Sequence, residues 1–210
     1  MKKKIIIVGG GSHAYSILDI LIRNSLKKYI FGYIDNKETF LPLKYIGNDG
    51  VLKNLKKKNY ILINGIGINI QLREKVYSKF EKEFNFMTLI DKSAIVSKLA
   101  LVKNGSVIFP LSYVGPGVII GENSVIHSKV SIEHNSLIEK NIYIGPGSTI
   151  CGTVIIKKNT FIGGGSFLKQ GIIIGNNNLI GAGSVILKNF LQNNCKIYGN
   201  PAKKIYDKNW

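Results

Sequence analysis

The C-terminal half of the sequence repeats every six residues. From Val102 to Ile186, every sixth position holds Val, Ile or Leu, which gives fifteen positions in an unbroken row. A period of six fits neither an α-helix, with its period of about 3.6, nor the strict alternation of one continuous strand. It predicts short strands joined by tight turns, with one branched side chain of each strand in the core. The fifteen positions are Val102, Ile108, Val114, Ile120, Ile126, Ile132, Ile138, Ile144, Ile150, Ile156, Ile162, Leu168, Ile174, Ile180 and Ile186.

Turn-forming residues separate the predicted strands. Gly115-Pro116-Gly117 and Gly163-Gly164-Gly165 are examples, and glycine accepts positive φ angles at little cost. Three six-residue sides close one triangular coil, so the row predicts five stacked coils over about residues 96–189. One coil cannot bury its own apolar edge, and stacking at the strand spacing of about 4.8 Å therefore forms the core.

The first 90 residues alternate between short apolar runs and amphipathic segments. We expect buried strands at residues 5–8, 30–34, 60–63 and 86–90, and helices carrying Ile17, Leu18, Leu21 and Ile22, and then Leu72, Val76 and Phe80. Such alternation predicts a parallel, doubly wound sheet. The sequence thus divides into an α/β, Rossmann-like half domain at residues 1–90 and a parallel β-helix with a short tail at residues 91–210.

A glycine-rich segment follows the first predicted strand. Gly9-x-Gly11-x-x-Ala14 matches a phosphate-binding pattern in its expected place between a strand and a helix. Asp35 follows the second strand, where an acidic residue can bind ribose. A dinucleotide fold needs two βαβαβ halves, and this segment has room for one, so we expect a mononucleotide rather than NAD. A tight turn without a ligand is the alternative.

Charge and composition narrow the class of ligand. The formal net charge is +17, and only Arg23 and Arg73 are arginines. We interpret this charge as a lysine-rich surface that can attract small phosphate-bearing ligands, and not as a nucleic-acid interface. No apolar run reaches the ~18–20 residues of a membrane span, and the run after the basic start is too short for a signal peptide. Cys151 and Cys195 have no paired spacing, which predicts a cytoplasmic protein.

His134 is the strongest candidate for a catalytic residue. It follows the inward-facing Ile132 by two positions, at a predicted coil corner where side chains project outward. A neutral imidazole can accept a proton from an attacking alcohol or amine near pH 7. We expect no metal site, because catalytic zinc takes three protein ligands and only His127 and His134 lie within the repeat.

Several segments outside the hexads match a known pattern. They are Gly9-Gly10-Gly11-Ser12-His13, Ile34-Asp35-Asn36, Gly65-x-Gly67, Leu72-Arg73, Ser131-Ile132-Glu133-His134 and Gly199-Asn200-Pro201-Ala202-Lys203. On these segments the whole chain resembles the sugar O-/N-acyltransferases of the hexapeptide-repeat superfamily. The most similar branch contains sialic acid O-acetyltransferases and N-acetyltransferases of nucleotide-linked 4-amino-4,6-dideoxy sugars.

The resemblance implies a left-handed β-helix, an acetyl-CoA-dependent acetyltransferase, and a homotrimer that binds acetyl-CoA along the β-helix between subunits. It makes His134 the general base, and we expect direct transfer without an acyl-enzyme. Position matching assigns the nucleotide-activated amino sugar to Gly11, Ser12, His13, Asp35, Asn36 and Gly67. It assigns acetyl-CoA to Tyr143, Gly164 and Ala182.

Two positions depart from the family pattern. An acidic residue commonly follows the catalytic histidine and raises its basicity, but this chain has Asn135. A second histidine commonly lies nine residues on, but this chain has Tyr143.

The expected reaction is N-acetylation of a nucleotide-linked 4-amino-4,6-dideoxy sugar in bacterial surface glycan biosynthesis. Sialic acid O-acetylation and a non-catalytic, structural β-helix are the alternatives.

Overall fold

The computed structural model describes residues 3–205, so Met1, Lys2 and the last five residues of the expected tail lie outside it. Its first part is an α/β domain in which three parallel strands have the order β2-β1-β3. The elements of this domain are β1 (Lys4–Val8), α1 (Ser12–Arg23), β2 (Ile30–Ile34), β3 (Tyr60–Asn64) and α2 (Ile70–Phe80), with 3-10 turns at Lys27–Tyr29, Asp49–Asn54 and Lys57–Asn59.

Helices cover both faces of this small sheet. Ile5 and Ile7 of β1 pack in the cluster that includes α1, whereas Ile6 and Val8 pack in the cluster that includes α2. Alternate residues of a strand point to opposite faces, so a continuous apolar strand needs cover on both sides. The doubly wound arrangement expected from the sequence is therefore present.

The fourth strand predicted for this domain, at residues 86–90, is wrong. Phe86 forms only an isolated bridge to Leu62, and Leu89–Ile90 pairs instead with the next part of the chain. Ile90 and Val96 lie twelve and six residues before Val102, so they continue the hexad row.

The rest of the described chain is a left-handed parallel β-helix built from two-residue strands, and it ends in two four-residue strands that pair with each other antiparallel. Its strands are β4 (Leu89–Ile90), β5 (Ile95–Val96), β6 (Leu101–Val102), β7 (Val107–Ile108), β8 (Tyr113–Val114), β9 (Ile119–Ile120), β10 (Val125–Ile126), β11 (Ser131–Ile132), β12 (Leu137–Ile138), β13 (Tyr143–Ile144), β14 (Thr149–Ile150), β15 (Ile155–Ile156), β16 (Phe161–Ile162), β17 (Phe167–Leu168), β18 (Ile173–Ile174), β19 (Leu179–Ile180), β20 (Val185–Ile186), β21 (Lys196–Gly199) and β22 (Ala202–Ile205).

Three parallel sheets form the sides of a triangular prism. We call them face 1 (β4, β7, β10, β13, β16 and β19, extended by β21 and β22), face 2 (β5, β8, β11, β14, β17 and β20) and face 3 (β6, β9, β12, β15 and β18). Successive strands of one face lie eighteen residues apart, as in Ile126 paired with Ile144. The three corners of the prism are the turns between consecutive faces.

The predicted inward row forms the core of the prism. Fourteen of its fifteen members are fully buried, and the remaining one, Val102, packs against the core near the open end. Ile90 and Val96 extend the row at its start, and Ile197 extends it at its end. The solenoid therefore has about six turns rather than the five predicted. The predicted row begins at Val102, whereas the observed core begins two hexads earlier, at Ile90.

Asparagines supply many of the left-handed turn positions. Asn123, Asn135, Asn141 and Asn159 have φ between 56° and 59°, a region that asparagine tolerates better than most residues. Glycines such as Gly117, with φ 72°, occupy equivalent turns in other coils. Leu111, Lys129 and Thr153 also occupy this turn position with positive φ, so the predicted role of glycine is shared mainly with asparagine but not with asparagine alone.

The α/β domain packs on face 1. Ile17 and Leu21 of α1 belong to one apolar cluster with Val107, Val125 and Tyr143 of that face. The end of α1 is tied to the β-helix by an ion pair from Arg23 Nε to Asp91 Oδ2 at 2.8 Å. No helix among residues 3–205 is long and apolar enough to cross a membrane.

Candidate active site

The glycine loop and Asp35 are in direct contact. The amide of Gly10 donates a hydrogen bond to Asp35 Oδ2 at 2.8 Å, and Thr39 Oγ1 donates to the carbonyl of Gly10 at 2.8 Å. A Cβ at residue 10 would lie 2.5 Å from Thr39 Oγ1, so only glycine fits there. Thr39 lies in an irregular segment without a motif, so no sequence signal points to it.

The predicted substrate residues fall into two groups. Asp35 and Asn36 line a cavity of about 240 Å³ at the carboxyl ends of β1 and β2, together with Lys75 and Lys79 of α2. The second group, Gly11, Ser12, His13 and Gly67, does not line this cavity. Gly11 and Ser12 are exposed at the start of α1, where the first helical amides have no intrahelical partner.

His13 and Gly67 face the β-helix. A Cβ at residue 67 would lie 2.9 Å from Cβ and Cγ of His13, so the glycine makes room for the imidazole. The His13 ring packs 5.4 Å from that of Phe109, and its Nε2 is buried with no partner among the described residues. Burial, assisted by the nearby Arg73, lowers the pKa of His13 to about 3, so the ring is neutral near pH 7.

A row of rings continues from this point along face 1. Phe109 stacks on His127 with 4.4 Å between the ring centroids. The His127 and Tyr143 centroids are 6.0 Å apart, and Tyr143 stacks on Phe161 with 4.9 Å between centroids. The in-register strands place these rings one coil above another. Tyr143, a predicted acetyl-CoA residue, is buried beneath the α/β domain, and burial raises its pKa.

His134 lies in the turn between β11 and β12, at the corner between faces 2 and 3, and its side chain is exposed. Its imidazole rests above Gly152, where a Cβ would lie 2.5 Å from Nε2. Asn135 Nδ2 is 3.4 Å from His134 Nδ1, and Glu133 accepts a hydrogen bond from Ser131 Oγ at 2.7 Å instead of contacting the imidazole. Gly152 was not predicted as a site residue, although it lies one coil period after His134.

Gly164 and Ala182 occupy the corner between faces 1 and 2 in consecutive coils. The Gly183 amide donates to the Gly164 carbonyl at 2.9 Å, so the two turns lie directly one above the other. Both residues are at least partly exposed and small, which leaves this corner open along the prism axis.

The prism separates the predicted catalytic and binding residues within one chain. His134 is at the corner between faces 2 and 3, which is opposite face 1 in a triangular section. Tyr143 is on face 1, beneath the domain that carries His13. A single chain therefore does not bring the predicted base to the predicted binding residues. Among the described residues, no group of three His, Cys, Asp or Glu could hold a metal ion.

Two family models match the chain. The PglD N-terminal domain matches residues 4–80, and the bacterial transferase hexapeptide (six repeats) matches residues 100–134 and 153–188. The fold and these matches define an acyltransferase of the hexapeptide-repeat class. Within that class, the chain belongs to the hexapeptide-repeat acyltransferases that carry a PglD-type N-terminal domain.

Solved structures similar to this chain cover nearly its whole length. PerB from Caulobacter crescentus, in complex with CoA and GDP-perosamine, is 25% identical with a TM-score of 0.89, over 96% of this chain and 97% of that one. The acetyltransferase domain of PglB from Neisseria gonorrhoeae, in complex with acetyl coenzyme A, is 22% identical with a TM-score of 0.90, over 98% and 100%. WeeI from Acinetobacter baumannii is 21% identical with a TM-score of 0.87, over 97% and 100%. The last two establish a shared fold only. No curated protein sequence matches.

Proposed function

We propose that this chain is an acetyl-CoA-dependent N-acetyltransferase that acts on the amino group of a nucleotide-linked 4-amino-4,6-dideoxy sugar. The strongest support is its likeness, over 96% of its length, to PerB in complex with CoA and GDP-perosamine. The modified sugar would serve bacterial surface glycan biosynthesis. We place the enzyme in the cytoplasm, because Cys151 and Cys195 are both free thiols.

The proposed reaction forms an amide and releases the thiol of CoA. The neutral sugar amine attacks the thioester carbonyl carbon, the C–N bond forms, and the C–S bond breaks as the tetrahedral intermediate collapses. His134 accepts the proton that the amine loses and passes it to the departing thiolate, so the reaction neither consumes nor releases a proton overall. The exposed position of His134 and the space above Gly152 support this role.

We assign the nucleotide to the α/β domain. The cavity beside Asp35 and Asn36 can take the nucleoside, and the free amides of Ser12 and His13 at the start of α1 can bind a phosphate. Gly67 and His13 then direct the sugar toward the β-helix. The acidic side chain after β2 and the glycine loop in contact with it are the features that support this placement.

We assign acetyl-CoA to the corner that carries Gly164 and Ala182, with its acetyl end at Tyr143. Two small residues in consecutive coils leave room for an extended pantetheine chain that runs parallel to the prism axis. This corner borders face 1, on which the α/β domain packs.

We propose a homotrimer in which His134 serves the binding site of a neighbouring chain. Within one chain, His134 and Tyr143 lie on opposite sides of the prism. Large apolar side chains are exposed on the faces that meet at the His134 corner, with Ile95 at 67%, Leu99 at 77% and Leu101 at 53% exposure. Contact with a second copy would bury them, and cyclic closure gives three equivalent sites.

Two experiments test these assignments. Release of free thiol from acetyl-CoA would be measured with UDP-, GDP- and dTDP-linked amino sugars, with free sialic acid as the rival acceptor; turnover of sialic acid alone would refute N-acetylation.

The second experiment co-expresses the His134→Ala and Asp35→Ala variants, each of which is expected to be inactive alone. Mixed trimers with a shared site recover part of the activity, whereas independent sites recover none.

A further inference from the structure

Arg73, in the first half of α2, is a buried cation without a carboxylate partner. Its exposed fraction is 1%, and none of the ion pairs between residues 3 and 205 includes it. Burial lowers the pKa of Arg73 to about 9, so the guanidinium still carries its charge at pH 7. A well-packed apolar side chain of similar volume is often as stabilising as a buried charge, or more so. Stability alone therefore does not account for an arginine here.

The guanidinium connects three parts of the proposed site. Its Nη1 donates to the carbonyl of Gly67 at 3.2 Å, and its Nε donates to Asn141 Oδ1 at 2.9 Å. Its central carbon lies 5.9 Å from the centroid of the Tyr143 ring. One side chain thus touches the segment that faces His13, a corner of the β-helix, and the residue assigned to acetyl-CoA.

Asn141 belongs to a column of asparagines in consecutive coils. Asn123 Nδ2 donates to Asn141 Oδ1 and Asn141 Nδ2 donates to Asn159 Oδ1, both at 2.9 Å. At the α/β end, Asn64 of β3 donates to Asn123 Oδ1 at 3.1 Å. The carbonyl of Arg73 accepts from Asn64 Nδ2 at 2.9 Å, so Arg73 is bound into this column by both its backbone and its side chain.

We infer that Arg73 is a positioning residue that holds the loop of residues 65–69 at a fixed distance from the β-helix wall at Tyr143. The inference rests on the proposed function, in which this loop directs the acceptor and Tyr143 contacts the acyl donor. The two hydrogen bonds start from different nitrogens of the planar guanidinium, Nε and Nη1. Lysine has three donors on a single nitrogen, so it does not reproduce this geometry. Loss of the fork lets the loop and His13 shift against the reacting carbonyl, and small displacements of this kind lower rates strongly.

Kinetics provide the first arm of the test. Arg73→Gln and Arg73→Lys are each expected to lower kcat/KM for the nucleotide sugar at least tenfold, with less than a threefold change in KM for acetyl-CoA. Asn141→Gly removes the partner of Arg73 while keeping the left-handed turn, and should have a similar effect. Asn177→Gly is the matched control, since Asn177 holds the same turn position one coil beyond Asn159, with φ 54°. It should behave as wild type. The double variant Arg73→Gln with Asn141→Gly should be no worse than Arg73→Gln alone, because the two residues act as one unit.

Hydrogen exchange of the amides of residues 65–69 provides the second arm, and it does not depend on any acceptor. These amides should exchange faster in Arg73→Gln and Asn141→Gly, and at the wild-type rate in Asn177→Gly. Folded Arg73→Gln with wild-type kcat/KM and wild-type exchange would overturn the inference. If that variant fails to fold, Asn141→Gly decides in the same way. If the wild type acetylates no nucleotide sugar, the proposed function fails, while the exchange rates still decide whether Arg73 holds the loop.

Discussion

A Cβ atom on Gly152 would lie 2.5 Å from Nε2 of His134, one coil below it in the prism. Gly152 does not have a positive φ, so alanine suits its backbone and conflicts only with the imidazole. Gly152→Ala is expected to displace His134 and lower kcat about 10- to 100-fold. Its melting temperature should stay within a few degrees of the wild-type value. Thr153→Gly, in the same turn, is the control, because the Thr153 hydroxyl donates to the carbonyl of Gly152 and not to the imidazole. Equal kcat values for wild type and Gly152→Ala would show that His134 is not held there for catalysis.

His134→Ala should lower turnover about 10²- to 10⁴-fold, the usual loss when a general base is removed. The apparent affinity for acetyl-CoA should change little, because the imidazole contacts the reacting amine. Full activity of this variant with a verified acceptor would mean that another group is the base.

Asn135→Asp should keep activity and move the acidic limb of the pH–rate profile to higher pH. A carboxylate beside the imidazole stabilises its protonated form, and aspartate tolerates the φ of 57° at this position. The measurement is kcat/KM for the acceptor between pH 5 and 9, with Asn135→Gly as the uncharged control. An unmoved acidic limb would indicate that the Asn135 side chain does not contact His134.

His13 should make the fold sensitive to acid. Its pKa is about 3 in the folded chain, against an ordinary value of 6.5, so the unfolded chain binds the proton more tightly. The contribution of neutral His13 to the free energy of unfolding is therefore fully present above about pH 6.5 and is lost as the pH falls toward 3. Urea unfolding at pH 7.5 and 4.5 should show a larger loss for wild type than for His13→Gln. Parallel losses in both proteins would contradict the assignment of a buried neutral imidazole.

Gly10 and Gly11 form a matched pair. A Cβ at residue 10 would meet Thr39 Oγ1 at 2.5 Å and disturb the contact with Asp35, whereas a Cβ at residue 11 would meet nothing within 4 Å. Gly10→Ala should weaken nucleotide-sugar binding at least tenfold and Gly11→Ala less than threefold, as measured by calorimetry. Equal effects of the two substitutions would remove the loop from the nucleotide site.

Ile150→Asp should prevent stable folding, because it buries a charge at a fully enclosed position. The expected cost is about 4 kcal/mol or more. Thr149→Asp, on the outer side of the same strand, should cost far less. Thermal unfolding of both variants checks the inward assignment.

Much of the β-helix could be predicted, because its core positions are local in sequence. Each inward residue is six positions from the next, so Ile132 and Ile150 can be placed from their neighbours alone. The first coil could have been predicted too, since Ile90 and Val96 keep the same spacing. The α/β domain was harder to predict at its end, where residues 86–90 have the composition of one strand, but Phe86 bridges Leu62 and Leu89–Ile90 pairs with the β-helix.

The arrangement of the site was less predictable, because it depends on how two domains pack. The face that α1 covers is set by the fit of Ile17 and Leu21 against Val107 and Val125, which no motif encodes. Arginine usually lies at the protein surface, so the residue type does not predict that Arg73 is buried. Its burial depends on Asn141, 68 positions away. The roles of His134, Tyr143 and the other site residues remain predictions for the experiments above.

His134 lies at the corner opposite face 1, and this position affects how activity depends on the number of intact subunits and on their concentration. In the proposed trimer, a chain that lacks His134 keeps its own sugar-binding domain but damages the site of its neighbour. Specific activity should fall when the protein is diluted below the dissociation constant of the trimer. In a cell that makes both chains, the chain with the defective base would also lower the amount of acetylated sugar that the intact chain produces.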